Sequence, residues 1–162
     1  MKWGTKYGAD YVNKLYRGIM GNTTLKGVQF YCFTEDDAGL DEGVQVKPLN
    51  TEWSYWWVKA TIFNAESDHG IRGRVFYIDL DMVITGCLDE LLAYRGVFAT
   101  MSTNDIFCET AADGYNSSIM AFDSSFGAAI YATLKRYYKY LLKFIIRFDH
   151  FLEMMVEQAD IV

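Results

Sequence analysis

The chain has 162 residues, of which 51% are hydrophobic, 22% are charged and one is a proline, as expected for one ordered globular domain. Its net charge of −6 argues against a nucleic-acid binder, because that task needs clustered lysine and arginine facing the phosphates. The three cysteines are widely spaced without a CxxC pair, so neither a disulfide framework nor a zinc knuckle is indicated.

The first part of the chain predicts a helix, two strands and a second helix. A helix is predicted over residues 7–20 by apolar residues on one helix face, which are Tyr7, Tyr11, Leu15 and Ile19 with Val12 and Tyr16 beside them. Aromatic and β-branched residues predict strands over 28–34 and 44–49, separated by an acidic loop. Residues 54–63, "SYWWVKATIF", lack strict alternation and therefore predict another helix.

The middle of the chain predicts three more strands. A turn over residues 66–74, with His69 exposed, leads to a strand over 75–80. That strand, "VFYIDL", is continuously apolar, which is typical of a strand covered on both faces. Two short strands are predicted over 96–101 and 117–122.

The C-terminal part predicts a long helix that begins near Ser125 and a last helix, "HFLEMMVEQA". Basic residues recur at four-residue steps along one face of the long helix: Lys135, Lys139, Lys143 and Arg147. This basic stripe is either a solvated helix face or a peripheral contact with an anionic membrane or a phosphate-rich partner. Strands interleaved with helices predict an α/β domain layered around a central sheet.

No run of about 20 apolar residues is present, so no transmembrane segment is predicted. The N-terminal sequence "MKWGTKYGAD" also lacks the hydrophobic stretch of a signal peptide. We therefore expect a cytoplasmic protein, or a lumenal one if the chain is part of a longer anchored protein.

Asp79 and Asp81, in the stretch "YIDLDMVITG", follow the buried strand directly. On a strand the two carboxylates share a face, since Leu80 points the other way. They repel each other unless a cation lies between them, and Mg²⁺ or Mn²⁺ commonly takes one or two carboxylates beside water and substrate phosphates. Since α/β sheets bind ligands at the carboxyl ends of strands, the pair predicts a metal half-site. The alternative is a solvated strand end.

A strand followed by D-x-D also resembles the haloacid dehalogenase-like phosphatases, in which the first aspartate is the nucleophile. On this interpretation Asp79 would form a phospho-aspartate. The pair is followed here by Met82 and Val83 instead of Gly-Thr, and it lies 78 residues into the chain instead of near its start. The phosphatase is therefore the second hypothesis.

Another resemblance rests on five segments: "KWGTKYGADYVNKLYRGI", "FYCFTEDDAGLD", "WWVKATIF", "RVFYIDLDMVITGCLDEL" and "GYNSSIMAF". In this order they resemble a nucleotide-diphospho-sugar glycosyltransferase of the GT-A fold, related to glycosyltransferase family 8. The resemblance implies an α/β three-layer sandwich with a mostly parallel central sheet, as a single domain over residues 1–162. It also implies transfer of a sugar from a nucleotide-diphosphate donor, UDP-linked in the first instance, to an acceptor hydroxyl.

The resemblance further implies a donor site with a divalent metal. Asp79 and Asp81 would hold Mn²⁺ or Mg²⁺, with His150 as a third ligand, and the metal would bind the donor diphosphate. Lys59 would approach the aspartates or the donor phosphates, unless it is a solvated lysine. Trp57 would line the donor pocket or belong to the core.

Four more residues are placed near the reaction centre by the same resemblance. Three of them, in "GYNSSIMAF", would face the sugar or the acceptor: Asn116, Ser117 and Ser118. Asp149, in "RFDHFLEMMVE", would lie near the donor.

Two departures from the family pattern define a third hypothesis. Relatives usually have an apolar strand ahead of "KWG" and continue past "EQADIV". We therefore expect a domain that lacks its first nucleotide-binding strand and its C-terminal end. A truncated, noncatalytic binding domain stands beside the transferase and the phosphatase.

Overall fold

The computed structural model describes residues 1–49, 52–64, 70–104 and 114–162. The chain forms two compact units: Met1–Glu52 with Ile78–Ala93, and Trp53–Tyr77 with Tyr94–Val162. His69 and most of the turn predicted over 66–74 lie outside the described residues. Among the helices that are described, none is both long and apolar enough to cross a bilayer.

The first unit contains four elements: helix α1 (Ala9–Gly21), strands β1 (Tyr31–Thr34) and β2 (Gln45–Pro48), and the short helix α2 (Asp89–Leu92). The two strands pair in parallel, with Tyr31 opposite Gln45. Lys2 extends this sheet by a parallel bridge to Thr34. The predictions of the first helix and of both strands are confirmed, with β1 shorter than expected, while α2 was not predicted.

Helix α1 buries a narrower stripe than its sequence predicts. Val12, Leu15 and Ile19 are buried, at the spacing of one helix face. Tyr11, expected on that face, is 40% exposed. The helix begins at Ala9, so Tyr7 lies before it and is available for other contacts.

Asp89, the first residue of α2, fastens this helix to the loop that follows α1. Its carboxylate accepts hydrogen bonds from the Thr23 hydroxyl at 2.6 Å, the Thr24 amide at 2.9 Å and the Thr24 hydroxyl at 2.5 Å. These bonds lower the pKa of Asp89 to about 2, and the bond from Thr23 has the largest effect. The bonds favour the charged form of the carboxylate. They also attach the segment that follows the Asp79–Asp81 pair to the loop after α1.

The second unit contains a four-stranded sheet, a 3₁₀ helix and two α-helices. Its elements are the 3₁₀ helix (Tyr55–Phe63), β3 (Arg74–Ile78), β4 (Phe98–Ser102), β5 (Tyr115–Asp123), α3 (Ala128–Leu141), α4 (Phe148–Met155) and β6 (Asp160–Ile161). The strand order is β3-β5-β4-β6, and the last residue of β3 leads into the first unit. Strand β4 runs antiparallel to β5 and parallel to β6. The α/β class is confirmed, but the sheet is mixed instead of mostly parallel.

The long helix predicted after Ser125 is shorter than expected, whereas the separate last helix is confirmed as α4. Helix α3 ends at Leu141, whose carbonyl accepts the amides of Phe144 at 3.0 Å and Ile145 at 2.8 Å. Apolar residues from 141 to 148 would surround a continuous helix, whereas the break buries Ile145 and Phe148 and leaves their neighbours outside. The basic stripe is therefore not one helix face, because Lys143 and Arg147 lie beyond the end of α3.

Gly127, directly before α3, is required by its conformation and by its neighbour. Its φ is 85°, in the left-handed region, and a Cβ there would clash with Cδ1 of the buried Phe63 ring. We expect Gly127→Ala to lower the free energy of unfolding by about 3 kcal/mol, from backbone strain plus overpacking. Urea denaturation measures this, and Gly86→Ala, where a Cβ meets nothing within 4 Å, is the control.

Candidate functional site

The Asp79–Asp81 pair lies on a turn, which corrects the prediction that the two residues belong to a strand. Strand β3 ends at Ile78, and the Met82 amide donates to the Asp79 carbonyl at 3.3 Å. Leu80 is 7% exposed, whereas Asp79 is half-buried and Asp81 is exposed. The buried leucine therefore anchors the turn, and strand alternation is not what positions the two carboxylates.

Within the first unit, Lys6 and Tyr7, which precede α1, lie beside the two aspartates. The Tyr7 hydroxyl donates a hydrogen bond to Oδ2 of Asp81 at 2.6 Å, and Nζ of Lys6 lies 4.6 Å from the centroid of the Tyr7 ring. The bond to Asp81 raises the pKa of Tyr7. The pKa of Lys6 is raised too, mainly by a hydrogen bond to Tyr7 and further by the charges of Asp81 and Asp79.

Lys6 and Tyr7 were not predicted as site residues from the sequence. Their only signal was their place in "KWGTKYGADYVNKLYRGI", the first of the segments that resemble a glycosyltransferase. Together with the aspartates they form the acidic cluster, defined as Lys6, Tyr7, Asp79 and Asp81.

The Tyr7–Asp81 bond predicts a shifted titration. In Asp81→Asn the pKa of Tyr7 should fall toward its ordinary value of 10.0, because the phenolate no longer forms beside a carboxylate. Carbon-13 labelling of the tyrosine rings and NMR across alkaline pH would follow the change. Asp37→Asn, which alters an exposed carboxylate elsewhere in the unit, should leave the titration as it is. An unchanged Tyr7 pKa in Asp81→Asn would contradict the contact.

The second unit brings together three of the predicted residues: Lys59, Ser117 and Asp149. Oδ1 of Asp149 accepts the Ser117 amide at 2.8 Å and the Ser117 hydroxyl at 2.5 Å. Nζ of Lys59 donates to Oγ of Ser117 at 3.2 Å and to its carbonyl at 3.4 Å. A chain of hydrogen bonds therefore runs from the lysine through the serine to the aspartate.

An insertion in β5 makes this arrangement possible. Thr100 of β4 lies opposite Met120, but the next residue, Met101, lies opposite Asn116. Residues 117–119 therefore bulge from the β4–β5 ladder, and bulges of this kind redirect side chains next to functional sites. The Thr100 hydroxyl lies across the bulge, 2.8 Å from the Asn116 carbonyl and 3.0 Å from that of Ile119.

Helix α4 holds the start of β5 through two carboxylates one turn apart. Asp149 accepts the amide of Ser117, and Oε1 of Glu153 accepts the amide of Tyr115 at 2.8 Å. One helical turn rises about 5.4 Å and two strand residues span about 6.6 Å, so the two spacings match. Glu153 is a third site residue, after Lys6 and Tyr7, that was not predicted from the sequence.

The remaining predicted residues have separate surroundings in the second unit. Trp57 is buried, with its ring centroid 5.8 Å from that of Phe151 and 6.1 Å from that of Phe148, so its core interpretation fits. Asn116 is half-buried, and its Oδ1 accepts the Ser118 amide at 3.0 Å within the bulge. His150 is exposed on α4. Ser117 is 1% exposed, so its hydroxyl serves the internal network.

The residues of the acidic cluster suit a hard divalent cation. Asp79 and Asp81 supply carboxylate oxygens, the ligand type that Mg²⁺ and Mn²⁺ prefer. Within the described ranges no group of three or more histidine, cysteine, aspartate or glutamate side chains has the spacing of a metal site. Two protein carboxylates completed by water and phosphate oxygens match the usual magnesium arrangement.

Comparison with known proteins finds similarity at the level of the fold. The sequence matches no family model and no curated protein significantly. Two crystal structures of the glycosyltransferase GlyE from Streptococcus pneumoniae TIGR4, one of them the apo form, have TM-scores of 0.69 and 0.68 to this chain. Each is 13% identical over 99% of this chain, which spans 44% of theirs. The chain therefore has a fold found in a glycosyltransferase.

Proposed function

We propose that this protein is a metal-dependent glycosyltransferase of the GT-A type, related to glycosyltransferase family 8, that transfers a sugar from a UDP-linked donor to an acceptor hydroxyl. The observation that carries the proposal is the similarity to GlyE along 99% of the chain. The acidic cluster adds support, since it lies at the turn after β3, where the resemblance expects the donor diphosphate.

Asp79 and Asp81 would hold Mn²⁺ or Mg²⁺, which when bound neutralises the diphosphate leaving group as its charge develops. Within the cluster, Tyr7 fixes the orientation of Asp81 through the hydrogen bond at 2.6 Å. Lys6 adds a positive charge beside the two carboxylates, whose negative charges favour its protonated form. An exposed lysine in this position is suited to contact donor phosphates.

Within the second unit, Lys59, Ser117 and Asp149 would act as positioning residues. Asp149 and Lys59 hold Ser117 from two sides, so the backbone of the bulge is fixed around Asn116. Asn116 is then the residue of "GYNSSIMAF" that is suited to contact the sugar or the acceptor. Ser117 does not contact them itself and instead fixes the backbone beside Asn116. Such fixed geometry is what transfer to an oriented hydroxyl requires.

A thermal-shift screen of nucleotide sugars with and without Mn²⁺ tests the proposal. A ligand at about 100 times its dissociation constant adds about 2.7 kcal/mol to the stability of the folded state, which raises the melting temperature measurably. The expected result is a shift with UDP-sugars that requires the metal. No shift with any nucleotide sugar, with metal present, would contradict the transferase.

The same protein sample tests the two other hypotheses. A phosphatase with Asp79 as nucleophile should form a beryllofluoride adduct at Asp79, detected by fluorine NMR. The similarity to GlyE supports the transferase over this alternative. A noncatalytic domain should give neither the adduct nor the metal-dependent shift.

A further inference from the structure

The segment between α3 and α4, residues 142–147, carries large apolar side chains into water. Phe144 is 84% exposed and Ile146 is 76% exposed. Ile145 between them and Phe148 after them are buried, so the segment is anchored to the core on one side. This anchoring keeps Phe144 and Ile146 on the outer side, where burial in the unit cannot stabilise them.

Exposed aromatic rings extend this apolar surface. The indole of Trp56 donates a hydrogen bond to the Ile146 carbonyl at 3.0 Å, and the Tyr55 ring lies 6.0 Å from that of Trp56. Tyr55 is 66% exposed and Tyr140, at the end of α3, is 67% exposed. Large exposed apolar side chains grouped around one segment are typical of a binding surface.

The charge around this surface is opposite to that of the whole chain. No acidic residue occurs from position 124 to 148, although the net charge of the chain is −6. The same stretch contains five basic residues, all exposed: Lys135, Arg136, Lys139, Lys143 and Arg147. One of them, Lys143, has its Nζ 5.8 Å from the centroid of the Tyr140 ring, so positive charge and apolar surface adjoin.

From these observations we infer that this surface, the interfacial segment (residues 137–147 with Tyr55 and Trp56), binds the surface of an anionic membrane. Phe144 and Ile146 insert below the lipid headgroups, while the lysines and arginines contact the lipid phosphates. Tyrosine and tryptophan suit the boundary between the two layers. A second copy of the chain fits less well, because a symmetric contact would bring the same basic residues face to face.

Co-sedimentation with sucrose-loaded vesicles tests the inference. The protein should bind vesicles of phosphatidylcholine and phosphatidylserine in equal parts far more strongly than pure phosphatidylcholine vesicles, and added salt should weaken the binding. Phe144→Ser with Ile146→Ser should reduce the partition coefficient at least about tenfold, because two apolar side chains no longer insert. Lys139→Glu with Lys143→Glu should reduce it at least about tenfold through lost charge attraction.

Matched variants test whether vesicle binding depends on this surface or only on net charge and exposed apolar side chains in general. Lys14→Glu with Lys26→Glu makes the same change in net charge elsewhere and should keep most of the binding. Val97→Ser with Met154→Ser removes side chains that are 73% and 68% exposed outside the segment and should also bind. Melting temperatures of all four variants should stay close to that of the original chain.

Equal binding to both vesicle types, or full binding by both segment variants, would overturn the inference. Absence of vesicle binding would overturn it too. If the chain were then a dimer that Phe144→Ser with Ile146→Ser converts to a monomer, the surface would belong to a second copy. The segment contains no residue of the acidic cluster or of the Ser117 network, so either result leaves the proposed function standing.

Discussion

Asp79→Asn and Asp81→Asn should each weaken the Mn²⁺-dependent binding of UDP by at least about 100-fold, since even residues that only support metal ligands cost about 10- to 100-fold when replaced. Each substitution removes one negative charge and one strong oxygen ligand while it preserves the size of the side chain. Isothermal titration calorimetry with UDP and Mn²⁺ measures the effect. A chelator that removes the metal should weaken the binding of UDP to the original chain at least as much as either substitution does.

Asp37→Asn is the matched control for this pair. Asp37 is exposed in the same unit, so its replacement makes the same change in charge away from the acidic cluster. The control should bind UDP as the original chain does. Binding that survives in both Asp79→Asn and Asp81→Asn, or binding that needs no metal, would show that the pair does not hold a metal.

Asp149→Ala should lower the free energy of unfolding by about 3 kcal/mol, because two donors of Ser117 lose their acceptor and one of them is a hydroxyl on a residue with 1% exposure. Asp149→Asn keeps an Oδ1 that can accept both bonds, but without the negative charge that strengthens them, so we expect about half of that loss. Urea denaturation of the three proteins gives the order. Sugar transfer, once a donor and an acceptor are found, should fall in both variants because the bulge is no longer fixed.

Glu157→Ala is the control for the loss of one carboxylate from the second unit. Glu157 is exposed, and its replacement should change the free energy of unfolding by less than about 0.5 kcal/mol. If Asp149→Ala were no less stable than Glu157→Ala, the hydrogen bonds to Ser117 would not stabilise the fold. If Asp149→Asn were folded and fully active in transfer, the positioning role would be wrong.

The sequence predicts most elements of this fold because hydrophobic periodicity is a local property. The stripe at positions 12, 15 and 19 gives α1, and the apolar run "RVFYI" gives β3. Local patterns fail where apolar residues have no preferred helix face, as at residues 141–148, in which the apolar residues are interrupted by Lys143 and Arg147. There the core decides, since burial of Ile145 and Phe148 ends α3 at Leu141 and leaves Phe144 in water.

The candidate site, like the fold, was predicted from the sequence only in part. The sequence by itself determined that two carboxylates one residue apart follow an apolar strand, because strand propensity and the D-x-D spacing are both local properties of the sequence. The burial expected on both faces of that strand is not found, since only its last two residues are buried. Only the tertiary structure decided what the two carboxylates contact, since Tyr7 and Asp81 are 74 positions apart. It likewise decided the Ser117 network, because Ser117 and Asp149 are 32 positions apart and meet only where β5 bulges toward α4. Such contacts depend on how the chain closes long loops around its core, and no local pattern encodes that closure.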